Sequence, residues 1–267
     1  MLWIRAAYGA LAMAVALGVA TLIPINWLAA VACSLIAVVL LRPWRRTAGL
    51  RHGRAVGFAH LGLTGGLRPF LLGIAVTTAA AVVTFTAGTL AGWLTWGPVD
   101  PAQVALFLVT NGVIAVLLEA FPEELTLRGH TYTTLRAAHR PWIAAVGTTA
   151  FFLTVPALAT LIQSALTLGA HKPSLAPPGE DPISYFILLT IFGFTLIAAR
   201  NATGSLWTSV GTHLTFLTIN RLTLYGEDRD AGWSMDLESP DAILLIPAYL
   251  LIATIAFKVI GRAHSPR

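Results

Sequence analysis

The chain has 267 residues, of which 56% are apolar and only 11% charged. A soluble domain of this size carries about 25% charged residues, so a water-soluble globule is excluded. The net charge of +5 and the pI near 9.9 therefore bear on membrane sidedness and not on nucleic acid.

The apolar residues fall in blocks of about 16 to 25, long enough to cross a bilayer core as helix. Backbone polar groups inside lipid must pair within the segment, so each block reads as a helix. In chain order the predicted spans are 6–23, 26–41, 70–95, 103–120, 142–168, 183–199, 204–220 and 241–260. The opening "MLWIRAAYGALAMAVALGVATLIP" has the form of a signal peptide, but a second apolar run follows almost at once. It reads as a retained first span. Cys33, the single cysteine, lies in the second span and reads as a small buried hydrophobe; no intrachain disulfide or thiolate cluster can form. The segment 42–69 is a basic connection that orients the chain and suits anionic lipid. "GTLAG", with Gly88 and Gly92, predicts close helix packing. The segment 169–182 is rich in Pro and Gly and reads as an irregular loop.

Charge placement tests the span count. With the N-terminus inside and strict alternation, 14 of the 17 basic residues fall on the cytoplasmic side and nine of the 12 acidic residues fall outside. One missed or invented span would scramble this asymmetry. The fold class expected is all-α: a polytopic transmembrane helical bundle of about eight spans, one integral-membrane domain over 1–267, with both termini cytoplasmic.

The stretch "EAFPEELTLRGH", Glu119 to His130, breaks the apolar pattern. Pro122 suits the first turn of a new helix, which would put Glu123 and Glu124 at its positive end and let Arg128 pair with Glu124 one turn on. A well-capped interfacial helix would explain all of this without chemistry. Two features argue for more. Glu119 lies within an apolar run, where a carboxylate costs ~2.5–3.5 kcal/mol and normally faces a bundle interior. In the 204–220 span His213 stands at depth, with Asn220 close to its face. A lone buried histidine is more often a packing residue, but a carboxylate base and an imidazole donor around a wet cavity are the minimum equipment for hydrolysis.

"EELTLRG", Glu123 to Gly129, resembles the EExxxRG motif of the CAAX prenyl protease and bacteriocin-processing (Abi) family of intramembrane peptidases. The resemblance continues through "HTYTTLRAAHRPWIAAVGTTAFF" and resumes at "ATGSLWTSVGTH", covering about 103–221. It implies that Glu123 activates water, Glu124 assists it or positions a neighbour, Arg128 holds the carboxylates, and His213 donates to the oxyanion on the scissile carbonyl. It also implies a peptide or protein substrate met among membrane lipids, in a cavity among spans four to seven open toward the cytoplasm. Two positions depart from the family pattern. Pro156 stands where FxxxH, begun at Phe152, would place its histidine, and Leu217 stands where HxxxN, begun at His213, would place its asparagine. There is no HExxH, and the donor set for a metal ion is thin. No cofactor and no tightly bound metal are therefore expected, and nucleic acid is not a partner. Two other readings use the same residues. One is a catalytically degenerate family member acting as a binding, immunity or complex-subunit protein. The other is a small transporter with Glu119, Glu123 and His213 as a proton relay, which would gain from pseudo-symmetric halves that the sequence lacks.

Overall fold

The computed structural model describes residues 1–50, 61–177 and 180–264, with the backbone alone over 43–50 and at 264. Part of the basic 42–69 connection, including Arg51 and Arg54, lies outside the described residues. Among the described residues eight long helices follow in order: α1 Leu2–Ala20, α2 Asn26–Leu50, α3 Leu67–Leu90, α4 Pro101–Arg136, α5 Pro141–Leu166, α6 Pro182–Thr203, α7 Leu206–Thr223 and α8 Leu245–His264. Two short strands, β1 Leu94–Trp96 and β2 Met235–Leu237, pair antiparallel with Trp96 opposite Met235. The protein is an all-α multi-pass membrane bundle.

Each of the eight expected segments coincides with a helix, although 70–95 runs past the end of α3 at Leu90 into β1, and among the described residues six helices are long and apolar enough to cross a membrane by length and composition. The two exceptions have simple causes. In α2 the side chains are described only as far as Arg42, so the segment counted is Asn26–Arg42. The α7 sequence, "LWTSVGTHLTFLTINRLT", is diluted by hydroxyls, a histidine, an asparagine and an arginine, which is what a helix packed inside a bundle can carry.

Local chemistry sets the helix starts. The Asp100 carboxylate accepts from Ala102 N at 3.0 Å and Gln103 N at 3.1 Å, with Pro101 following as the first helical residue of α4. Asp181 does the same for Ser184 N at 2.8 Å ahead of Pro182 and α6. Both pair an oxygen acceptor with a proline that has no N–H to satisfy. At the α6–α7 junction Gly204 takes φ +70° and donates to Arg200 O at 2.8 Å, a left-handed cap that suits glycine. Ser205 then caps α7 through Trp207 N.

Small residues let the site-bearing helices approach. A Cβ on Gly73 of α3 would strike the Thr208 carbonyl of α7, and one on Gly211 of α7 would strike the Phe70 carbonyl of α3. A Cβ on Gly9 of α1 would strike Thr131 and the Thr126 carbonyl of α4. Gly88 likewise packs, against Leu245 and Leu94, but Gly92 does not. Gly92 lies beyond α3 at φ +72° with open space around it, and so serves the turn into β1.

Candidate active site

The site is built on α4, and its backbone departs from the sequence expectation first. Pro122 does not begin a new helix; it sits inside one continuous helix from Pro101 to Arg136. The helix accommodates it by widening. Residues Val116–Ala120 and Glu124–Thr131 are π-helical, with Phe121 N–H reaching Val116 O and Tyr132 N–H reaching Leu127 O. Pro122 offers no N–H to the carbonyls one turn back, Leu117 and Leu118. Those carbonyls accept instead from α2: Ser34 Oγ donates to Leu117 O at 2.5 Å and Cys33 Sγ to Leu118 O at 3.2 Å. Side chains of a neighbouring helix thus satisfy groups that a proline would otherwise leave bare in lipid. Cys33 is buried as expected, with a backbone partner in addition.

Because the helix is continuous, the carboxylates do not lie at its end. Glu123 is roughly 20 Å along the axis from the C-terminus of α4 at 1.5 Å per residue. Glu123, Glu124, Arg128 and His213 are all buried, with Glu124 and Arg128 at 0% exposure. Arg128 Nη1 donates to Glu124 Oε1 at 3.2 Å, one turn along the same helix. His213, from α7, lies between the two carboxylates, with Nδ1 3.0 Å from Glu124 Oε1 and Nε2 3.9 Å from Glu123 Oε2. The shorter contact is a hydrogen bond; the longer one is beyond hydrogen-bond range and leaves Nε2 turned toward Glu123.

Aromatic rings hold this cluster in place. Phe192 of α6 meets the His213 ring edge-on at 4.9 Å, and Phe216 stacks on Phe192 at 4.1 Å. The Arg128 guanidinium lies over the Phe152 ring of α5 at 4.5 Å, a cation–π contact in a dry setting. Glu124 Oε2, Arg128 Nε and Nη2, and Thr212 Oγ1 are buried without a hydrogen-bond partner among the described residues. Buried polar atoms left open in this way mark where water or a polar substrate group is to be met.

A second polar layer stands one turn before Glu123. Arg221, near the end of α7, donates to both oxygens of Glu119 at 2.6 and 2.8 Å and to Asn111 Oδ1 at 3.3 Å. Glu119 stands out in the sequence, whereas Arg221 falls just beyond the predicted 204–220 span. The signal was present: Arg221 follows His213 by about two helical turns and so shares its face.

Three sequence-noted positions do not join the cluster. Asn220 accepts from the Tyr249 hydroxyl of α8 at 3.3 Å. Pro156 is carried inside α5, and Leu217 packs against the apolar core. Among the described residues no group of three or more His, Cys, Asp or Glu is arranged to hold a metal ion. Glu124 Oε1 and His213 Nδ1 are committed to each other, which takes two donor atoms from any such set.

Residues 105–219 match the family model described as type II CAAX prenyl endopeptidase Rce1-like. No curated protein and no solved structure matches the chain. The matched stretch runs from α4 through α7 and contains both carboxylates, the arginine and the histidine. Over residues 105–219, then, the chain is similar to the Rce1-like type II CAAX prenyl endopeptidase family.

Proposed function

We propose that the protein is an intramembrane endopeptidase in which Glu123 activates water for attack on a peptide bond. The observation that carries this reading is the convergence of Glu123 and Glu124 from α4 with His213 from α7 in one buried cluster. Glu123 is the carboxylate with no hydrogen bond to the histidine, so its oxygens are available to water. It takes a proton as the water oxygen bonds to the scissile carbonyl carbon, and returns that proton to the leaving nitrogen as the C–N bond breaks.

Glu124 and Arg128 act on His213. An ionised carboxylate only accepts hydrogen bonds, so Nδ1 carries its proton toward Glu124. With Nδ1–H held by Glu124, Nε2 is the ring atom left to donate to the developing oxyanion, which it does from the doubly protonated ring. Both termini lie on the cytoplasmic side, and the substrate is a peptide or protein segment reached within the membrane. The test is cleavage of a quenched-peptide panel, prenylated members included, by detergent-purified protein. Glu123→Ala and His213→Ala should each abolish cleavage that the native chain performs. Cleavage surviving in either variant sinks these roles.

Pro156 and Leu217 support a second reading, in which the same fold binds a membrane partner without hydrolysis. Inactivity of the native chain on the whole panel, together with retained binding of an uncleaved peptide, would favour it.

A further inference from the structure

A groove of about 560 Å³ opens where α3 begins, α6 ends and α8 approaches its last turn, lined by Arg68, Pro69, Leu72, Asn201, Thr203 and Gly261. It shares no residue with the acidic cluster and plays no part in the proposed hydrolysis. Its frame is fixed. Leu206 N donates to Gly62 O at 2.7 Å and Ser205 Oγ to Thr64 O at 2.5 Å, which ties the loop before α3 to the α6–α7 junction. Gly261 of α8 lies against Ala202, close enough that a Cβ there would be 3.3 Å from its Cα.

The groove has one charged and one apolar component. Arg68 and Leu72 are one turn apart on α3 and share a face, so a cation sits beside an apolar wall. Arg68 is exposed and makes no hydrogen bond or ion pair among the described residues. The other polar side chains are already engaged: Asn201 with the Tyr132 hydroxyl at 3.0 Å and Thr203 with Thr208 at 2.6 Å. Lys258 and Arg262, both exposed, flank Gly261 on α8. No carboxylate lines the groove among the described residues. Basic pockets between membrane helices recognise anionic head groups, and the apolar wall suits a chain attached to that head group.

We propose that this groove binds one anionic glycerophospholipid, with its phosphate on Arg68 and an acyl chain along Pro69 and Leu72. The full chain, delipidated in a neutral detergent, is titrated with phosphatidylglycerol, phosphatidylcholine or inorganic phosphate, and bound lipid is counted by native mass spectrometry. Phosphatidylglycerol should bind one per chain and raise the melting temperature, while phosphatidylcholine and inorganic phosphate should not. Arg68→Gln, at an exposed position, should weaken that binding about fivefold, the effect of one basic group of about 1 kcal/mol at the membrane surface. Arg68→Lys should keep most of it. Arg229→Gln, which removes an exposed cation at the other end of the bundle, should leave it unchanged. Equal binding of phosphatidylcholine, or full binding by Arg68→Gln, overturns the proposal. Equal stabilisation by inorganic phosphate also overturns it, in favour of a free-anion site. Concentration-dependent dimerisation that Arg68→Gln abolishes would overturn it in favour of a second copy of the chain.

Discussion

Arg128 is the residue on which the buried charges depend. Its guanidinium has no exposure, bonds Glu124 and lies over Phe152. Removing one member of a buried ion pair leaves the other charge uncompensated, at a cost of about 3–5 kcal/mol. Arg128→Ala should therefore lower thermal stability in detergent markedly, where an exposed arginine would show almost no change. Arg128→Lys should lose less, because it keeps the charge but gives up the planar face over Phe152. A melting temperature unchanged in Arg128→Ala would mean that Glu124 is neutral or solvated, contrary to the packing around it.

At the scale of the element, α4 owes its function to a proline that ought to break it. Pro122 persists because the widened turns relieve its ring and because Ser34 and Cys33 bond the carbonyls it cannot serve. A π-turn acts like one inserted residue, so relaxing it would rotate the downstream face by about 100°. Pro122→Ala restores an N–H and permits that relaxation. It should leave far-UV helicity and melting temperature equal or higher, while abolishing peptide cleavage because Glu123 and Glu124 swing away from His213. Full activity in Pro122→Ala would show that the widened turns are not needed. The same helix is pinned to α7 by Glu119 and Arg221. A double-mutant cycle with Glu119→Gln and Arg221→Gln should give a stability coupling of about 1 kcal/mol, within the range for partners in one network. A coupling near zero would make the pair a passive contact.

At the scale of the whole molecule, features set by short-range chemistry were legible in the sequence and those set by distant partners were not. The apolar segments could be read because bilayer thickness dictates their length. The Glu124–Arg128 pair could be read because its members are one turn apart. His213 was reachable through its motif and its odd placement in an apolar run. The continuity of α4 was hidden because the groups that tolerate Pro122 lie 83 and 85 residues before the carbonyls they serve. The Glu119–Arg221 pair was hidden in the same way by a separation of 102 residues, which no local pattern encodes. Two polar layers on one pair of helices became visible only once α4 and α7 were set side by side.

The packing also sorts the charges to the two ends of the bundle, and this bears on orientation. At one end Arg5 O bonds His130, Arg200 Nη2 donates to Thr133 at 2.9 Å, Gly62 O holds the start of α7, and Gly261 lies against Ala202. These contacts gather Arg68, Arg136, Lys258 and Arg262 at that end. At the other end Gln163 bonds Thr21, Gln103 bonds Asp230 at 2.7 Å, Tyr225 bonds Glu180 at 3.0 Å, and Glu238 N meets Trp93 O at 2.9 Å. There the acidic run from Glu227 to Asp241 collects around the stacked Trp96 and Trp233 rings. Basic residues in short loops are retained on the cytoplasmic side, so the end bearing Lys258 should face inward and the end bearing Asp228 outward. The check is labelling of intact cells with a membrane-impermeant maleimide in a Cys33→Ala background. Asp228→Cys should react before lysis, and Lys258→Cys only after it. The opposite pattern would reverse the orientation without touching the fold, since the sorting of charge is fixed by packing whereas the side assigned to each end rests on the charge rule alone.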